Sequence, residues 1–447
     1  MEKKQQKKPS GLSMGGVMPR NLKKLNPVST VRIPQNGPPK QTQQKKPIPK
    51  PRPINKRKIN PGSALEFIKS NILYAVVPVF ILALYLFNIN VLPPHMSSTD
   101  ISADYQNLSD AGSFDFLPVK IILVIFAKLH LFSYLYVRLL SVALMLFALF
   151  CFYKLLAGWI SRRVAVFSVL LFASSSWALS QTRQDNVTAM LFGVIPVILY
   201  LGNLALHSKS TALRILSSIL LAQVIFVPGA VWFLLSALII YALYEKDEVI
   251  AGKLILPFSV LMLTLAASLG IILRLSLDIP TQALKMLGLQ VGSLPSVASV
   301  KNGLLELPGQ LFYNGLNDSS SWLYGTPIID WISAVLLIAG IIYLAKTRLF
   351  LTKKRFMFTF LVLCIVLIAV NGPVFISLLL PLAYMFVAFG ITYLIDQWLI
   401  IFPNNPLPRM LGLGVVGLVV LMIIGYHAER YFIGWPKTDA YHQIFKV

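Results

Sequence analysis

The chain has 447 residues, of which 56% are hydrophobic and 13% are charged, and its mean hydropathy is +0.71. Soluble domains carry about 25% charged residues, so this composition excludes a soluble globular protein and indicates a membrane protein. The formal net charge of +23 would by itself suggest a nucleic-acid-binding protein, unless the charge is confined to one segment.

The positive charge is concentrated at the N-terminus. Residues 1–60 contain 16 lysines and arginines and a single acidic residue, Glu2, so they carry +15 of the +23 charge. They also contain ten prolines and no Phe, Trp or Tyr, and so cannot bury enough apolar surface to offset the entropy lost on folding. We therefore predict a disordered basic arm at 1–65 and a membrane-embedded domain at 66–447. The expected partner of the arm is the anionic inner leaflet, with nucleic acid as the alternative.

Apolar stretches of the length that crosses a bilayer, roughly 20 residues, predict an all-α, polytopic integral membrane protein with about 11 transmembrane helices. The predicted spans are 71–93, 134–156, 164–181, 187–206, 213–227, 230–244, 254–275, 330–346, 356–371, 374–395 and 410–427.

The basic residues of the short loops predict the orientation. With the arm in the cytoplasm, Arg162-Arg163 and the basic loop 346–355 also lie there. Two long loops, 94–133 and 276–329, and a short tail, 428–447, then lie outside. The expected location is the plasma membrane, with a cytoplasmic N-terminus and an extracytoplasmic C-terminus.

Both long loops contain apolar pieces. Residues 117–131 are predicted to form a helix at the outer interface, whose Lys and His side chains would snorkel toward the head groups. The stretch 278–329 is rich in Pro, Gly and Asn and is predicted to be irregular. Two such loops over the ends of a helical bundle would enclose a cavity at the membrane surface.

The order of motifs between the first spans is the most informative feature. Pro118 lies near the start of the interfacial helix, and Arg138-Leu139-Leu140-Ser141 follows at the next span. A basic turn at Arg162-Arg163 and the corner Arg183-Gln184-Asp185 come next. This order resembles the GT-C superfamily of polytopic glycosyltransferases, in particular its protein O-mannosyltransferase, aminoarabinose-transferase and RgtA/B/C/D-like group. The resemblance covers roughly residues 70–245, and the rest of the chain by topology.

The resemblance implies a GT-C fold and the transfer of a sugar from a polyprenyl-phosphate donor to an extracytoplasmic acceptor. In that family an Asp-Glu pair after the first span supplies the catalytic carboxylate, which acts as a general base. The corresponding stretch here reads Ser97-Ser98-Thr99-Asp100, so the motif is degenerate. The candidate base is Asp100 and then Asp104; the alternative is that both are solvated or helix-capping acids.

Several basic residues are candidates for contact with the donor phosphate. Arg183 and Asp185 could form an ion pair that fixes the corner, which is the simpler interpretation, and Arg183 could instead contact the phosphate, since its fork suits that group. Arg138 and Lys128 are candidates for the same contact or for interface anchors. Lys285 and Lys301, in the second outer loop, are further candidates without a motif. Aromatic residues near span ends, Trp177 among them, are expected to form an interfacial belt.

No clustering of potential ligands predicts a metal or other cofactor; a divalent metal would follow from the family resemblance alone. Two alternative functions remain open. A non-catalytic GT-C-like protein that binds a lipid-linked glycan would differ from the enzyme by one carboxylate. A transporter or flippase would be expected to show internal repeats and ionisable residues within its spans.

Overall fold

The computed structural model describes residues 76–91, 115–129, 134–184, 188–244, 248–275, 278–289, 296–316, 323–347, 351–402 and 406–445. The predicted arm at 1–65 lies outside these ranges. The regular structure within them is helical. The helices are α1 Val76–Leu86, α2 Leu117–Lys128, α3 Tyr134–Trp159, α4 Arg162–Ser174, α5 Ser176–Arg183, α6 Ala189–His207, α7 Thr211–Gln223, α8 Ala230–Tyr244, α9 Glu248–Arg274, α10 Ile279–Met286, α11 Val297–Phe312, α12 Trp331–Lys346, α13 Leu351–Asn371, α14 Ile376–Ile401, α15 Pro406–Glu429 and α16 Asp439–Phe445.

The lengths and composition of these helices are those of a multi-pass membrane protein. Six of the described helices are long and apolar enough to cross a membrane, and the bent pair α4 and α5 would form a seventh span. The helices α1, α7, α8 and α12 are apolar but shorter. Each of the predicted spans coincides with one of these helices or with the bent pair. The fold class is therefore confirmed, whereas a count of eleven crossings is not.

Burial separates the core of the bundle from its outer surface. Residues 376–391 of α14 are buried on every face, which is the pattern of a helix at the centre of a bundle. By contrast, α9 and α15 expose large apolar side chains, with Leu263 72% and Leu421 68% exposed. Such surfaces suit contact with lipid acyl chains, which cannot hydrogen-bond to a polar group.

Two glycines allow α12 to approach α14. A Cβ added at Gly340 would lie 1.8 Å from the carbonyl oxygen of Phe386, and one at Gly390 would lie 2.0 Å from that of Leu336. Small residues of this kind let the backbones of membrane helices come into contact. The pair therefore holds α12 against the core helix.

The first predicted span ends early. Its helix stops at Leu86, and residues 87–91 form turns around Asn88, which has a φ of 52°. Asparagine tolerates this left-handed conformation better than most residues. The carbonyls of Phe87 and Ile89 accept hydrogen bonds from arginine side chains instead of continuing the helix.

The predicted span 164–181 is broken in two. The axes of α4 and α5 differ by 58°, and the break lies at Ser175. The Ser175 hydroxyl accepts a hydrogen bond from the backbone N–H of Ala178, at 3.3 Å, and so caps the new helix. The run of small residues Ser174–Ser176 thus marks a helix start within the span.

The long loops and the tail are more regular than predicted. The stretch 278–329 includes α10 and the 16-residue α11, which contains Pro308, and the hydroxyl of Ser296 caps α11 at the N–H of Ser299. The tail after α15 continues through a π-helical turn at Arg430–Gly434 and a 3₁₀ turn at Trp435–Lys437 into α16. Capping and burial therefore order segments that Pro and Gly content had marked as irregular.

The helix predicted at 117–131 is observed as α2, with Pro118 in its first turn. Lys120 of this helix does not snorkel. It is buried, and its Nζ lies 3.6 Å from the carboxylate of Asp115. The backbone N–H of Phe116 donates to the carbonyl of Phe226, at 2.7 Å, which ties the start of α2 to the corner between α7 and α8.

Candidate functional site

Two buried arginines converge on the turn that follows α1. Arg138, in the first part of α3, donates from Nη1 to the carbonyl of Ile89 at 2.6 Å. Arg183, the last residue of α5, donates from Nη2 to the carbonyl of Phe87. Both side chains are 0% exposed. We call the end of the bundle at which they meet the arginine end.

Aromatic rings from the C-terminal segment surround Arg183. Its guanidinium carbon lies 4.9 Å from the ring centre of Phe432 and 5.3 Å from that of Tyr431. Cation–π contacts of this kind stabilise a charge that has lost its water. Phe432 packs edge to face on Phe87, with ring centres 5.4 Å apart, so the ring that contacts Arg183 also contacts the turn that accepts from it.

A second tyrosine fixes the end of α1 beside the arginines. The hydroxyl of Tyr85, fully buried, donates to the carbonyl of Ala173 at 2.9 Å. Ala173 lies in the last turn of α4, just before the break that begins α5. Two hydrogen bonds to backbone carbonyls therefore fix the turn 87–91 relative to Arg183. Tyr85, just before the turn, donates to Ala173, and Arg183 donates to Phe87.

The arginine end carries an excess of buried positive charge. Among the described residues, four basic side chains are buried, Lys120, Arg138, Arg183 and Arg430, against one buried carboxylate, Asp330. Lys120 is paired with the partly buried Asp115. Ionisable groups are costly at membrane depth and are usually retained there for function. The planar guanidinium fork matches the oxygens of a phosphate, so this end of the bundle has the chemistry of an anion site.

A chain of hydrogen bonds links α5 to α15 and to the start of α12. His427, fully buried in the last turn of α15, places Nδ1 2.9 Å from the hydroxyl of Ser176 and Nε2 3.1 Å from the carboxylate of Asp330. Asp330 also accepts from the backbone N–H of Ser333, at 2.9 Å, and caps α12.

Arg430 joins this chain to the segment before α12. Its Nη2 donates to the carbonyl of Pro327 at 3.0 Å, and its guanidinium carbon lies 5.1 Å from the ring centre of Tyr426. The next residue, Tyr431, is the one that contacts Arg183. The C-terminal segment thus contacts both the hydrogen-bonded chain and the arginine pair.

The structure brings together two of the residues selected from the sequence, Arg138 and Arg183. The burial of Arg138 favours a role inside the protein over that of an interface anchor. Lys128 and Lys301 are exposed and Lys285 is half-buried. None of these three lysines is buried as Arg138 and Arg183 are.

The three acids selected from the sequence, Asp100, Asp104 and Asp185, lie outside the described residues. Asp100 and Asp104 belong to the segment 92–114, which begins three residues after Ile89 and precedes Asp115. Asp185 follows Arg183 by two residues.

Sequence reasoning missed His427, Asp330 and Arg430. None of the five histidines shows ligand spacing in the sequence, and Ser176 and His427 are 251 residues apart. A usable signal was present: His427 and Arg430 are ionisable residues three positions apart at the end of an apolar span, where such groups are often functional. Asp330 precedes Ser333 by three residues, which is the spacing of a helix cap.

The interfacial position expected for Trp177 is wrong. Its side chain is 2% exposed, and its Nε1 donates to the hydroxyl of Ser377 on the core helix α14 at 3.1 Å. Within the described ranges, no three His, Cys, Asp or Glu side chains lie close enough to hold a metal ion.

No protein-family model matches the chain, and no curated protein sequence matches it. Solved structures do. The crystal structure of ArnT from Cupriavidus metallidurans bound to undecaprenyl phosphate superposes with a TM-score of 0.52 at 11% sequence identity, over 84% of this chain and 77% of that chain. The same protein in the apo state gives a TM-score of 0.50 at 13% identity, over 84% and 78% of the two chains. At this identity the likeness concerns the fold, and the chain has the GT-C-like fold that its motif order predicted.

Proposed function

We propose that this GT-C-like membrane protein is a glycosyltransferase that moves a sugar from a polyprenyl-phosphate donor to a hydroxyl-bearing acceptor. The observation that carries the proposal is the buried pair Arg138 and Arg183 at the arginine end. The fold is similar to that of ArnT, which has been crystallised with undecaprenyl phosphate. A lipid phosphate entering from the bilayer would bring to this end the negative charge that two guanidinium groups are suited to bind.

In the proposed reaction, a carboxylate takes the proton from the acceptor hydroxyl while its oxygen attacks the anomeric carbon of the donor sugar. The new glycosidic C–O bond forms as the bond between the anomeric carbon and the phosphate oxygen breaks. The polyprenyl phosphate leaves with an additional negative charge, which the arginines stabilise. Asp100 is the proposed base and Asp104 the second candidate, because both belong to the segment that follows the turn 87–91, whose carbonyls accept from Arg138 and Arg183.

A groove along the second half of α11 offers a place for the acceptor. It lies between α11 and Pro373, and Glu306, Gln310 and Asn314 line it. Carboxylate and amide groups hydrogen-bond well to sugar and lipid hydroxyls. The helix α11, which lines the groove, is hydrogen-bonded to the residue before Asp330. The backbone N–H of Ile329 donates to the carbonyl of Leu311 at 3.0 Å.

We also propose that the arginine end faces the extracytoplasmic side and that the basic arm lies in the cytoplasm. The opposite end of the bundle supports this orientation, since it carries Arg162, Arg163 and the basic residues Lys353–Arg355. Basic residues in short loops favour the cytoplasmic side.

The experiment is a turnover assay on membranes that contain the overproduced protein. A panel of polyprenyl-phosphate sugars with labelled sugar is supplied, and transfer of the label and release of polyprenyl phosphate are measured. We expect one donor to be consumed, and Asp100→Asn or Asp104→Asn to lower turnover at least a hundredfold at unchanged protein levels. Arg163→Ala, at the opposite end of the bundle, is the matched control and should leave turnover unchanged.

The degenerate acidic motif, with Thr99-Asp100 in place of Asp-Glu, favours one alternative function: a non-catalytic protein that binds a lipid-linked glycan. That protein would bind polyprenyl phosphate without consuming any donor. Turnover that survives both aspartate substitutions would instead reject the assignment of the base.

A further inference from the structure

The chain Ser176, His427 and Asp330 has a defined hydrogen-bond direction. The backbone N–H of Ser176 lies 3.3 Å from Nδ1 of His427, and the Ser176 hydroxyl lies 2.9 Å from the same atom. A backbone N–H can only donate, so Nδ1 is the acceptor and carries no proton. The proton of the ring is then on Nε2, which donates to the carboxylate of Asp330 at 3.1 Å.

Through this contact, His427 caps α5 from another helix. The first N–H groups of a helix have no partner within it, and α5 is buried along its whole length. Ser175 satisfies the N–H of Ala178, and His427 satisfies that of Ser176. An eight-residue helix is too short to be stable alone, so these caps and its packing decide where it lies.

The other end of α5 is Arg183, and the same C-terminal segment holds it. Tyr431 and Phe432 place their rings over the guanidinium group, four and five residues after His427. The α5 helix spans about 12 Å at 1.5 Å per residue. The segment 427–432 therefore contacts α5 at its first residue, Ser176, and at its last, Arg183.

Asp330 connects His427 to the second long loop, 276–329. One carboxylate oxygen accepts from the N–H of Ser333 and the other from His427. Just before it, Ile328 and Ile329 donate backbone hydrogen bonds to the last turn of α11, at 3.4 and 3.0 Å. A rotation of His427 would thus disturb α5 and the junction between α11 and α12 together.

We propose that His427 and Asp330 are positioning residues that hold Arg183 in place for the phosphate of the lipid-linked donor. The inference rests on the proposed function, because it assigns the phosphate contact to Arg183. His427 acts through the N-terminus of α5 and touches neither donor nor acceptor. A histidine is required here because Nδ1 of the ring must accept a hydrogen bond from Ser176 while Nε2 donates one to Asp330.

The test is a double-mutant cycle on the full-length protein in detergent, with undecaprenyl phosphate as the probe and its dissociation constant as the readout. We expect His427→Leu to weaken binding roughly tenfold, and Arg183→Ala at least as much. The double variant should bind no more than about twofold more weakly than Arg183→Ala alone, because the effect of His427 passes through Arg183. An additive loss in the double variant, or wild-type affinity in His427→Leu, would overturn the proposal.

Two further variants keep the test informative if His427→Leu does not fold. His427→Gln retains an acceptor and a donor and should stay within about threefold of wild-type affinity. Asp330→Asn keeps the cap on Ser333 but places an amide N–H₂ against His427. Either tautomer of the ring then meets a donor at one end, so affinity should fall as in His427→Leu. Equal losses with His427→Gln and His427→Leu, or no loss with Asp330→Asn, would count against the positioning role.

Ser168→Ala is the matched control for burial. Its hydroxyl is fully buried on α4 and bonds within that helix, to the carbonyl of Val164 at 2.9 Å. The control should lower thermal stability slightly and leave the dissociation constant unchanged. If the wild-type protein neither binds undecaprenyl phosphate nor consumes any donor, the proposed function fails and the inference fails with it. If the wild type binds and the His427 and Asp330 variants bind equally well, the positioning role alone is rejected.

Discussion

The guanidinium of Arg138 donates to the carbonyl of Ile89 across 49 residues of chain, at 2.6 Å and away from solvent. The contact fixes α3 to the turn that ends α1, and the segment 92–114 with both candidate bases starts from that turn. Arg138 therefore has two roles: it holds α3 against this turn, and it places a positive charge beside it.

Replacement of Arg138 should affect both roles. Arg138→Ala removes a buried hydrogen bond and should lower the free energy of unfolding by about 1–3 kcal/mol, measured in detergent. It should also raise the KM for the lipid-linked donor at least tenfold, because one of the two proposed phosphate contacts is lost. Arg138→Lys keeps the charge without the fork and should lie between alanine and wild type. A wild-type KM in Arg138→Ala would remove Arg138 from the phosphate site.

Contact between α12 and α14 should depend on the absence of a side chain at Gly340. Gly340→Ala places a Cβ within 1.8 Å of the carbonyl of Phe386, so the two helices must separate. Overpacking of this kind costs about 1–3 kcal/mol, which thermal unfolding in detergent would detect. Gly414→Ala is the control, since no atom lies within 4 Å of its added Cβ, and it should be neutral or slightly stabilising.

Replacement of Asp330 should weaken the start of α12. Its carboxylate accepts from the backbone N–H of Ser333 and from His427, so Asp330→Ala removes the acceptor that both donors use. We expect the free energy of unfolding to fall by about 1–3 kcal/mol, measured by thermal unfolding in detergent. Asp330→Asn can still accept from Ser333 and should lose less. An unchanged melting temperature in Asp330→Ala would contradict the capping role.

The proposed orientation can be tested with single cysteines. Tyr313→Cys lies at the arginine end, where the native side chain is 69% exposed, and Lys209→Cys lies in an exposed loop at the opposite end. A membrane-impermeant maleimide should label the first in intact cells and the second only after permeabilisation. The native Cys151 and Cys364 are buried and should remain unlabelled. The reverse labelling pattern would place Asp100 in the cytoplasm and reject the proposed mechanism.

The helices of this protein could be predicted because lipid leaves the backbone few choices. The late span with Pro381 is the buried core helix α14, and the motif order selected both Arg138 and Arg183. The break at Ser175 lies in a run of three serines within the predicted span 164–181. The length of the apolar stretches and the order of the motifs therefore predicted the fold and one half of the site.

The other half depends on contacts between distant parts of the chain. His427 meets Ser176 across 251 residues, and Asp330 meets His427 across 97 residues. No local spacing relates these residues, because three separate helices bring them together. Trp177 was misplaced for the same reason: hydropathy cannot tell a tryptophan at a lipid interface from one that packs on the core helix.

The π-helical turn at Arg430–Gly434 sets the register of everything after it. Such a turn holds one residue more than an α-helical turn, and each residue of an α-helix advances the chain by about 100° around its axis. Deletion of a single residue there would regularise the helix and rotate the following segment. Trp435 and Tyr441 would then leave the positions in which their side chains are buried. The end of this chain should therefore tolerate many substitutions on its exposed face but no change of length.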